Sequence, residues 1–134
     1  MATKFFYCKH CGNVVVKIVD SGVTPVCCGE EMVELVANTF EGLGEKHLPA
    51  VKRTGKGTYE VQVGSILHPM LKEHSICFIF LETEKGFHVR KLEPGDRPIA
   101  FFNVCEDKPV AVYEYCNVHG LWKTELECDK KEKC

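Results

Sequence analysis

The sequence carries nine cysteines and six histidines, the side chains that most often bind transition metals in proteins. Four of the cysteines form two close pairs near the start of the chain, Cys8 with Cys11 and Cys27 with Cys28. Another cysteine, Cys116, lies three residues before His119. The cysteine count is odd, and the first residues show neither the apolar segment nor the cleavage site of a signal peptide. We therefore expect a cytoplasmic protein whose cysteines bind metal and do not form disulfides.

The two cysteine pairs are spaced to hold one metal ion. Two thiolate pairs separated by a short hairpin can surround a tetrahedral ion. Gly12 and Gly29 follow the pairs and let backbone N–H groups approach the sulfurs, which helps to set a redox potential. The spacing alone does not separate zinc from iron, because both ions accept four thiolates. His10, inside the first pair, is interpreted as a solvent-exposed side chain and not as a ligand.

Length and composition limit the function classes. A chain of 134 residues allows one medium domain, or one ordinary domain with a very small one. The net charge of −2 argues against a general nucleic-acid-binding protein, which usually has a strong basic excess. The longest apolar run, "ICFIFL", is far shorter than the ~20 residues that span a bilayer. We expect no nucleic-acid partner and no membrane insertion.

The uneven distribution of cysteines predicts two domains. Residues 1–36 are too few to bury a sufficient apolar core and are predicted to be a metal-stabilised module. Residues 38–134 read as a second domain made of strands, with "TYEVQVG", "SICFIFLET", "FHVRK", "IAFFNVC" and "PVAVYEYC" separated by Gly and Pro turns. No segment shows a convincing amphipathic helix. The pattern predicts an all-β protein whose second domain is an antiparallel β-sandwich, followed by a frayed charged tail.

Four histidines of the second domain lie in contexts typical of loops around these strands: His47, His68, His74 and His119. A rigid sandwich can present ligands from loops that are distant in sequence. Each histidine taken alone is better explained as a surface or core residue, but the combination favours a metal site. His88 lies in the middle of a predicted strand and is left out of the site.

Three motifs resemble the superoxide reductase family. They read "EKHLP", "HPMLKEH" and "CNVHGLW" in this sequence, and they occur in the family's order. The pattern C-x-x-C followed by C-C-G over residues 1–36 resembles desulforedoxin, a small rubredoxin-like iron module. Together the two regions resemble desulfoferrodoxin, the form of the family with two iron centres, and the resemblance covers nearly the whole chain.

The resemblance implies an immunoglobulin-like sandwich that carries a mononuclear non-haem iron. His47, His68, His74 and His119 would be its equatorial ligands and Cys116 its axial thiolate, with the opposite position open. Glu45 would occupy that position after oxidation, and Lys46 would lie beside it. Backbone N–H groups of Val118 or His119 are expected to tune the sulfur.

The implied reaction is one-electron reduction of superoxide to hydrogen peroxide, with re-reduction by a rubredoxin-like electron carrier. Cys8, Cys11, Cys27 and Cys28 would hold a second, accessory iron, and the family resemblance implies a homodimer. Two alternatives stay open, namely an electron-transfer protein without a small-molecule substrate and a structural zinc-binding module.

Several other residues are interpreted as bystanders to the chemistry. Cys77 and Cys105 fit buried or half-buried strand positions, and Cys128 and Cys134 lie near the tail. The basic residues Lys52, Arg53 and Lys56 could add positive charge near the site, but they are better explained as part of a solvated loop.

Overall fold

The structure is a computed structural model that describes residues 3–39, 44–64, 68–104 and 106–126. Within these residues the chain contains twelve strands and one helix of four residues, and the predicted all-β fold class is confirmed. No helix in the described ranges is long and apolar enough to cross a membrane. The chain divides into two compact units, Met1–Val36 and Ala37–Cys134. Cys105, Cys128, Cys134 and the charged tail lie outside the described residues.

The first unit consists of short strands around a very small core. Its strands are β1 (Phe5–Tyr7), β2 (Val14–Val16), β3 (Val26–Cys27), β4 (Glu30–Glu31) and β5 (Val33–Glu34). β1 is the central strand of a sheet in the order β2-β1-β5, and β3 and β4 form a hairpin. A buried cluster contains only Phe6, Cys8 and Met32, with Cys27 packed against it. So small a core cannot stabilise a fold unaided.

The second unit is a sandwich of two antiparallel sheets. After helix α1 (Gly44–His47), its strands are β6 (Pro49–Gly55), β7 (Thr58–Val63), β8 (Ile76–Thr83), β9 (Phe87–Lys91), β10 (Ile99–Asn103), β11 (Pro109–Cys116) and β12 (Gly120–Glu125). One sheet has the order β10-β7-β6 and the other β12-β11-β8-β9. The predicted immunoglobulin-like sandwich is therefore confirmed.

A contiguous apolar core lies between the two sheets. It combines Val61 and Val63 of β7 with Ile79 and Leu81 of β8 and Val112 of β11, all of them fully buried. Alternate residues of β7 face this core, as the period of two in "TYEVQVG" predicts. Burial of such side chains stabilises a fold by about 1.5–3 kcal/mol each.

The structure adds elements that the sequence patterns did not reveal. β6 pairs with β7 along its length, so Lys52 and Arg53 lie on an exposed edge strand and the predicted loop is wrong there. Charged side chains are common on edge strands because they discourage pairing with other chains. β12 pairs with β11 from Gly120 onward. Its two charged residues obscure the alternation that would identify it.

The strand register brings distant segments to one end of the sandwich. Pro49 at the start of β6 pairs with Val63 at the end of β7. In the other sheet, Cys116 at the end of β11 pairs with Ile76 of β8 and with Gly120 of β12. Segments that enter or leave the strands here contain every histidine predicted to bind the second metal.

Candidate metal centres

The four cysteines of the first unit bring their sulfur atoms together. The Sγ atoms of Cys8, Cys11, Cys27 and Cys28 all lie within 4.8 Å of one another. Cys11 Sγ is 3.6 Å from Cys27 Sγ, and Cys27 Sγ is 4.0 Å from Cys28 Sγ. A tetrahedral ion bound at the usual metal–sulfur distance of about 2.3 Å would separate its sulfurs by about 3.8 Å. The donor set therefore fits one tetrahedral metal ion.

Adjacent cysteines can share this cluster because of an unusual backbone conformation. Cys28 has φ of +53°, a left-handed value that is uncommon outside glycine, and Gly29 follows with φ of +74°. The Asn13 side-chain amide lies 3.6 Å from Cys27 Sγ and can donate to it. His10 lies outside the cluster, where its Nε2 contacts the Glu30 carboxylate.

The surroundings of Cys8 and Cys28 shift the pKa values of these two thiols in opposite directions. The N–H groups of Cys11 and His10 lower the pKa of Cys8 to about 6, although burial opposes them. The neighbouring thiols, Cys11 first among them, raise the pKa of Cys28 to about 12. Four thiolates crowded together repel one another unless a positive ion lies between them.

The second cluster combines four imidazoles and one thiol. His47 is the last residue of α1, His68 and His74 lie between β7 and β8, Cys116 ends β11, and His119 precedes β12. One donor atom from each of these residues lies within 4.8 Å of all the others. The structure thus brings together all five residues predicted for this site, from segments spread over more than 70 positions of the sequence.

The imidazoles form a closed cycle around a common point. Neighbouring ring centroids are 4.5 Å apart for His47 and His68, 4.7 Å for His68 and His74, 4.9 Å for His74 and His119, and 4.8 Å for His119 and His47. Neighbouring rings lie edge to face, at interplanar angles between 74° and 90°. A closed cycle of this kind can direct one nitrogen of each imidazole at a single ion.

The distances between donor atoms agree with such an ion. His47 Nε2 lies 3.0 Å from His68 Nε2 and 3.1 Å from His119 Nδ1. Adjacent ligands at right angles, each about 2.1 Å from a metal, would be about 3.0 Å apart. Cys116 Sγ lies 3.5 Å from His68 Nε2 and 4.0 Å from His119 Nδ1, close enough to be a fifth ligand.

Burial favours the uncharged forms of His68, His74 and Cys116. His47 and His68 are only 1% and 3% exposed, and burial lowers the pKa of His68 to about 4. His68 Nδ1 lies 2.6 Å from the Pro69 carbonyl oxygen, which leaves Nε2 as the atom directed at the cluster. The buried His74 Nε2 has no hydrogen-bond partner among the described residues.

Cys116 is the one thiol of the second cluster. It is fully buried, and burial raises the pKa of its thiol, while the N–H groups of His119 and Val118 lower it. These are the backbone groups that the sequence analysis expected near the sulfur. A metal ion would stabilise the thiolate directly, since a coordinating thiol loses its proton.

Comparison with known proteins identifies the family. The sequence of residues 39–125 matches the protein family described as Desulfoferrodoxin. The desulfoferrodoxin of Nitratidesulfovibrio vulgaris is 43% identical over 91% of this chain and 95% of its own length. The chain belongs to the desulfoferrodoxin family. A superoxide reductase of Pyrococcus horikoshii is 31% identical over 64% of this chain and 90% of its own length.

The fold of this chain resembles one solved structure over nearly the whole length of both chains. The crystal structure of the superoxide reductase from Treponema pallidum superimposes with a TM-score of 0.78 and 29% identity, covering 92% of this chain and 98% of that one. This member of the desulfoferrodoxin family has two centres that fit iron. One donor set consists of four cysteines, and the other consists of four histidines and one cysteine.

The structure also places the remaining predicted residues. Lys46 is exposed beside the second cluster, and its charge is a minor cause of the lowered pKa of His74, after burial and His119. The side chain of Glu45 lies outside the described part of the chain. His88 lies on β9 near the Phe102 ring, outside both clusters. Cys77 is half-buried on β8 and belongs to neither cluster.

Trp122 explains the last position of the "CNVHGLW" motif. Its indole Nε1 donates to the His119 carbonyl oxygen at 3.2 Å. Its ring lies beside the His47 ring, with 5.1 Å between the ring centroids. Trp122 therefore links the backbone of His119 to the imidazole of His47. Between His47 and His68, the Gly64 N–H donates to the Leu48 carbonyl oxygen at 3.0 Å. This hydrogen bond joins the segments that carry the two histidines.

Glu114 is a buried residue that the sequence analysis did not single out. It is fully buried two positions before Cys116, and neither carboxyl oxygen has a hydrogen-bond partner in the described ranges. Burial raises the pKa of this carboxyl well above its ordinary value. β11 is buried along almost its whole length, with Val110 its one exposed residue, and only this central position in the sheet could have indicated the burial of Glu114.

We expect the Cys8→Ser variant to unfold the first unit and leave the second intact. Cys8 is both a metal donor and one of only three buried residues in the cluster around Phe6. Metal binding in so small a module supplies much of the folding free energy. Limited proteolysis should cut residues 1–36 rapidly while a fragment of the second unit persists. Cys77→Ser is the matched control, and equal protection of residues 1–36 in both variants would contradict the expectation.

We expect Glu114→Gln to change how stability depends on pH. Because the pKa is raised in the folded state, the native carboxyl keeps a proton that the unfolded chain releases above its ordinary value of 4.5. The free energy of unfolding of the wild type therefore falls as pH rises, by up to about 1.4 kcal/mol per pH unit. Glutamine does not ionise, so the variant does not show this decrease. Urea unfolding at several pH values between pH 5 and 8 measures the difference.

The exposed Glu84, paired with Lys108 at 3.9 Å, provides the control for this experiment. Glu84→Gln should track the wild-type profile across the same pH range. Parallel profiles for Glu114→Gln and the wild type would show that the buried carboxyl ionises normally.

Proposed function

We propose that this protein is a superoxide reductase that converts superoxide to hydrogen peroxide. The observation that carries the proposal is the convergence of four imidazoles and one thiol on a single point, in a member of the desulfoferrodoxin family. We assign His47, His68, His74, His119 and Cys116 as the ligands of the catalytic iron. Relatives named superoxide reductase, from Pyrococcus horikoshii and Thermococcus kodakarensis, support the choice of reaction.

The reaction combines one superoxide anion with one electron and two protons and yields hydrogen peroxide. A bound ferrous ion would supply the electron and become ferric. The surrounding protein has to attract an anion, hold the donors in place and keep the thiolate ionised. Four neutral imidazoles add no negative charge, so the donor set contributes only the single charge of Cys116.

Lys46 is the residue that we assign to substrate attraction. It is exposed and precedes His47, which holds its charge close to the imidazole cycle. A positive charge at the entrance to a site raises the encounter rate with a small anion. We assign Glu45, its neighbour in the sequence, as the carboxylate that approaches the iron after oxidation, on the basis of the family's "EKHLP" motif.

We further propose that residues 1–36 form an accessory iron module and residues 38–134 the catalytic domain. Cys8, Cys11, Cys27 and Cys28 would hold the accessory iron, either as an electron relay or as the main stabiliser of the module. A rubredoxin-like carrier would return the catalytic iron to the ferrous state. The thiol ligands of both centres require a reducing environment, which supports a cytoplasmic location.

A homodimer is the assembly that we propose. Several apolar side chains of the first unit are strongly exposed, including Ile18 at 69%, Val19 at 85% and Val23 at 70%. Exposed apolar surface of this kind is typical of a contact with another protein surface. A second copy of the chain would remove it from water, and sedimentation of the iron-loaded protein would measure the mass.

The activity is tested by supplying a pulse of superoxide to the anaerobically purified protein with a reductant. We expect one peroxide per superoxide consumed and no dioxygen, at a rate that depends on the reductant. Cys116→Ser should abolish both the activity and the spectrum of the catalytic iron, while the four-cysteine centre persists. Equal amounts of dioxygen and peroxide would indicate dismutation, and an absence of superoxide consumption by iron-loaded protein would refute the proposal.

We expect Lys46→Ala to slow superoxide capture severalfold and to flatten its dependence on ionic strength. Stopped-flow measurements at several salt concentrations give both quantities. Lys85→Ala is the matched control because Lys85 is exposed in the turn after β8, about 20 Å along the strand from the site. That distance exceeds the Debye length of about 8–10 Å. Equal salt dependence in the two variants would show that Lys46 does not steer the substrate.

A further inference from the structure

Asn117 holds the segment that carries His74 against the turn that carries Cys116 and His119. Its side-chain Oδ1 accepts the Ser75 N–H at 3.0 Å, and its Nδ2 donates to the Glu73 carbonyl oxygen at 3.1 Å. Its backbone N–H donates to the Ser75 carbonyl oxygen at 3.2 Å. The residue therefore binds the backbone on both sides of His74.

His74 needs such support more than the most buried imidazoles do. His47 and His68 are almost fully buried and are fixed by packing, whereas His74 and His119 are only half-buried. On its other side, His74 is held by the paired hydrogen bonds of a tight turn with Leu71, at 2.9 and 3.2 Å. The Asn117 contacts and this turn together fix the backbone from which the imidazole projects.

The contacts require a side chain that both donates and accepts at a fixed separation. An amide can accept from Ser75 and donate to Glu73 at once, whereas an ionised carboxylate can only accept. Two hydrogen bonds from one planar group restrain rotation of the 73–75 segment, which a single bond would permit. This geometry accounts for the asparagine of the "CNVHGLW" motif.

We propose that Asn117 is a positioning residue that sets the His74 imidazole relative to Cys116 and His119. It closes the side of the imidazole cycle between His74 and His119, as Trp122 does between His119 and His47. Loss of the two side-chain bonds lets His74 move while the sandwich remains folded. The inference rests on the proposed function insofar as His74 is assigned as an iron ligand.

The test compares variants of the full-length, iron-loaded protein by two measurements that do not involve superoxide. One is the rate at which the catalytic iron is lost to a ferrous chelator, and the other is the EPR spectrum of that iron after oxidation. Asn117→Ala and the similarly sized Asn117→Leu should lose iron about 10–100-fold faster, as expected when support of a ligand is removed. Both should also show an altered EPR spectrum, with the four-cysteine iron unchanged as an internal reference.

Asn38 provides a matched control in the same unit. Its side chain also bridges a backbone, donating to the Lys123 carbonyl at 3.1 Å and accepting the Lys123 N–H at 2.9 Å. Asn38→Ala loses both side-chain hydrogen bonds with Lys123. It also adds backbone strain, because residue 38 has φ of +63°. We expect this variant to be less stable to heat than the wild type, with wild-type iron release and EPR spectrum.

His74→Ala separates failure of this inference from failure of the ligand assignment. If His74→Ala releases iron at the wild-type rate with an unchanged spectrum, His74 is not a ligand and the proposed site is wrong. If His74→Ala changes both measurements but the folded Asn117 variants behave like Asn38→Ala, the positioning role of Asn117 is overturned. Two differently sized substitutions are used so that a folding defect in one leaves the other informative.

Discussion

The second metal centre, formed by four histidines and Cys116, depends on one constraint. Five donor atoms share a small space, and each directs a lone pair into it. Hydrogen atoms cannot satisfy all of them, because each proton placed between two nitrogens leaves other donors without a partner. A buried polar group without a partner costs about 1–3 kcal/mol. A single cation at the centre of the imidazole cycle interacts favourably with every donor at once, including the thiolate of Cys116. The protein is therefore built to contain an ion, and the sandwich supplies the rigidity that keeps the donors facing it.

The rigidity is distributed between packing and specific links. His47 and His68 are almost fully buried, while the backbones that carry the half-buried His119 and His74 are bound by Trp122 and Asn117, respectively. The links follow the cycle, and each joins two segments that end at the same edge of the sandwich. The register of β11 with β8 and β12 is what makes these links short enough to form. A displacement of that register by one residue would turn Cys116 away from the site.

The sequence motifs predicted the donor residues of both clusters, because their order and spacing resemble those of a known family, whereas each histidine taken alone was better explained as a surface or core residue. β7, with its alternating pattern, and β8, with its run of β-branched and aromatic residues, were also predictable. β6 and β12 were not, since charged residues interrupt their pattern and their pairing is decided by long-range contacts. The burial of Glu114 and the contacts of Asn117 were hidden for the same reason. A polar residue next to a ligand looks the same in sequence whether it faces solvent, the core or a neighbouring loop.

The two centres differ in how far along the chain their donors are spread. All four thiols of the first cluster lie between residues 8 and 28, whereas the donors of the second extend from residue 47 to residue 119. During synthesis, all four thiols of the first cluster leave the ribosome before the last donors of the second cluster do. The second cannot close until β11 and the turn after it have been synthesised and paired with β8. The first donor set can therefore form from a short local segment, whereas the second requires a nearly complete sandwich.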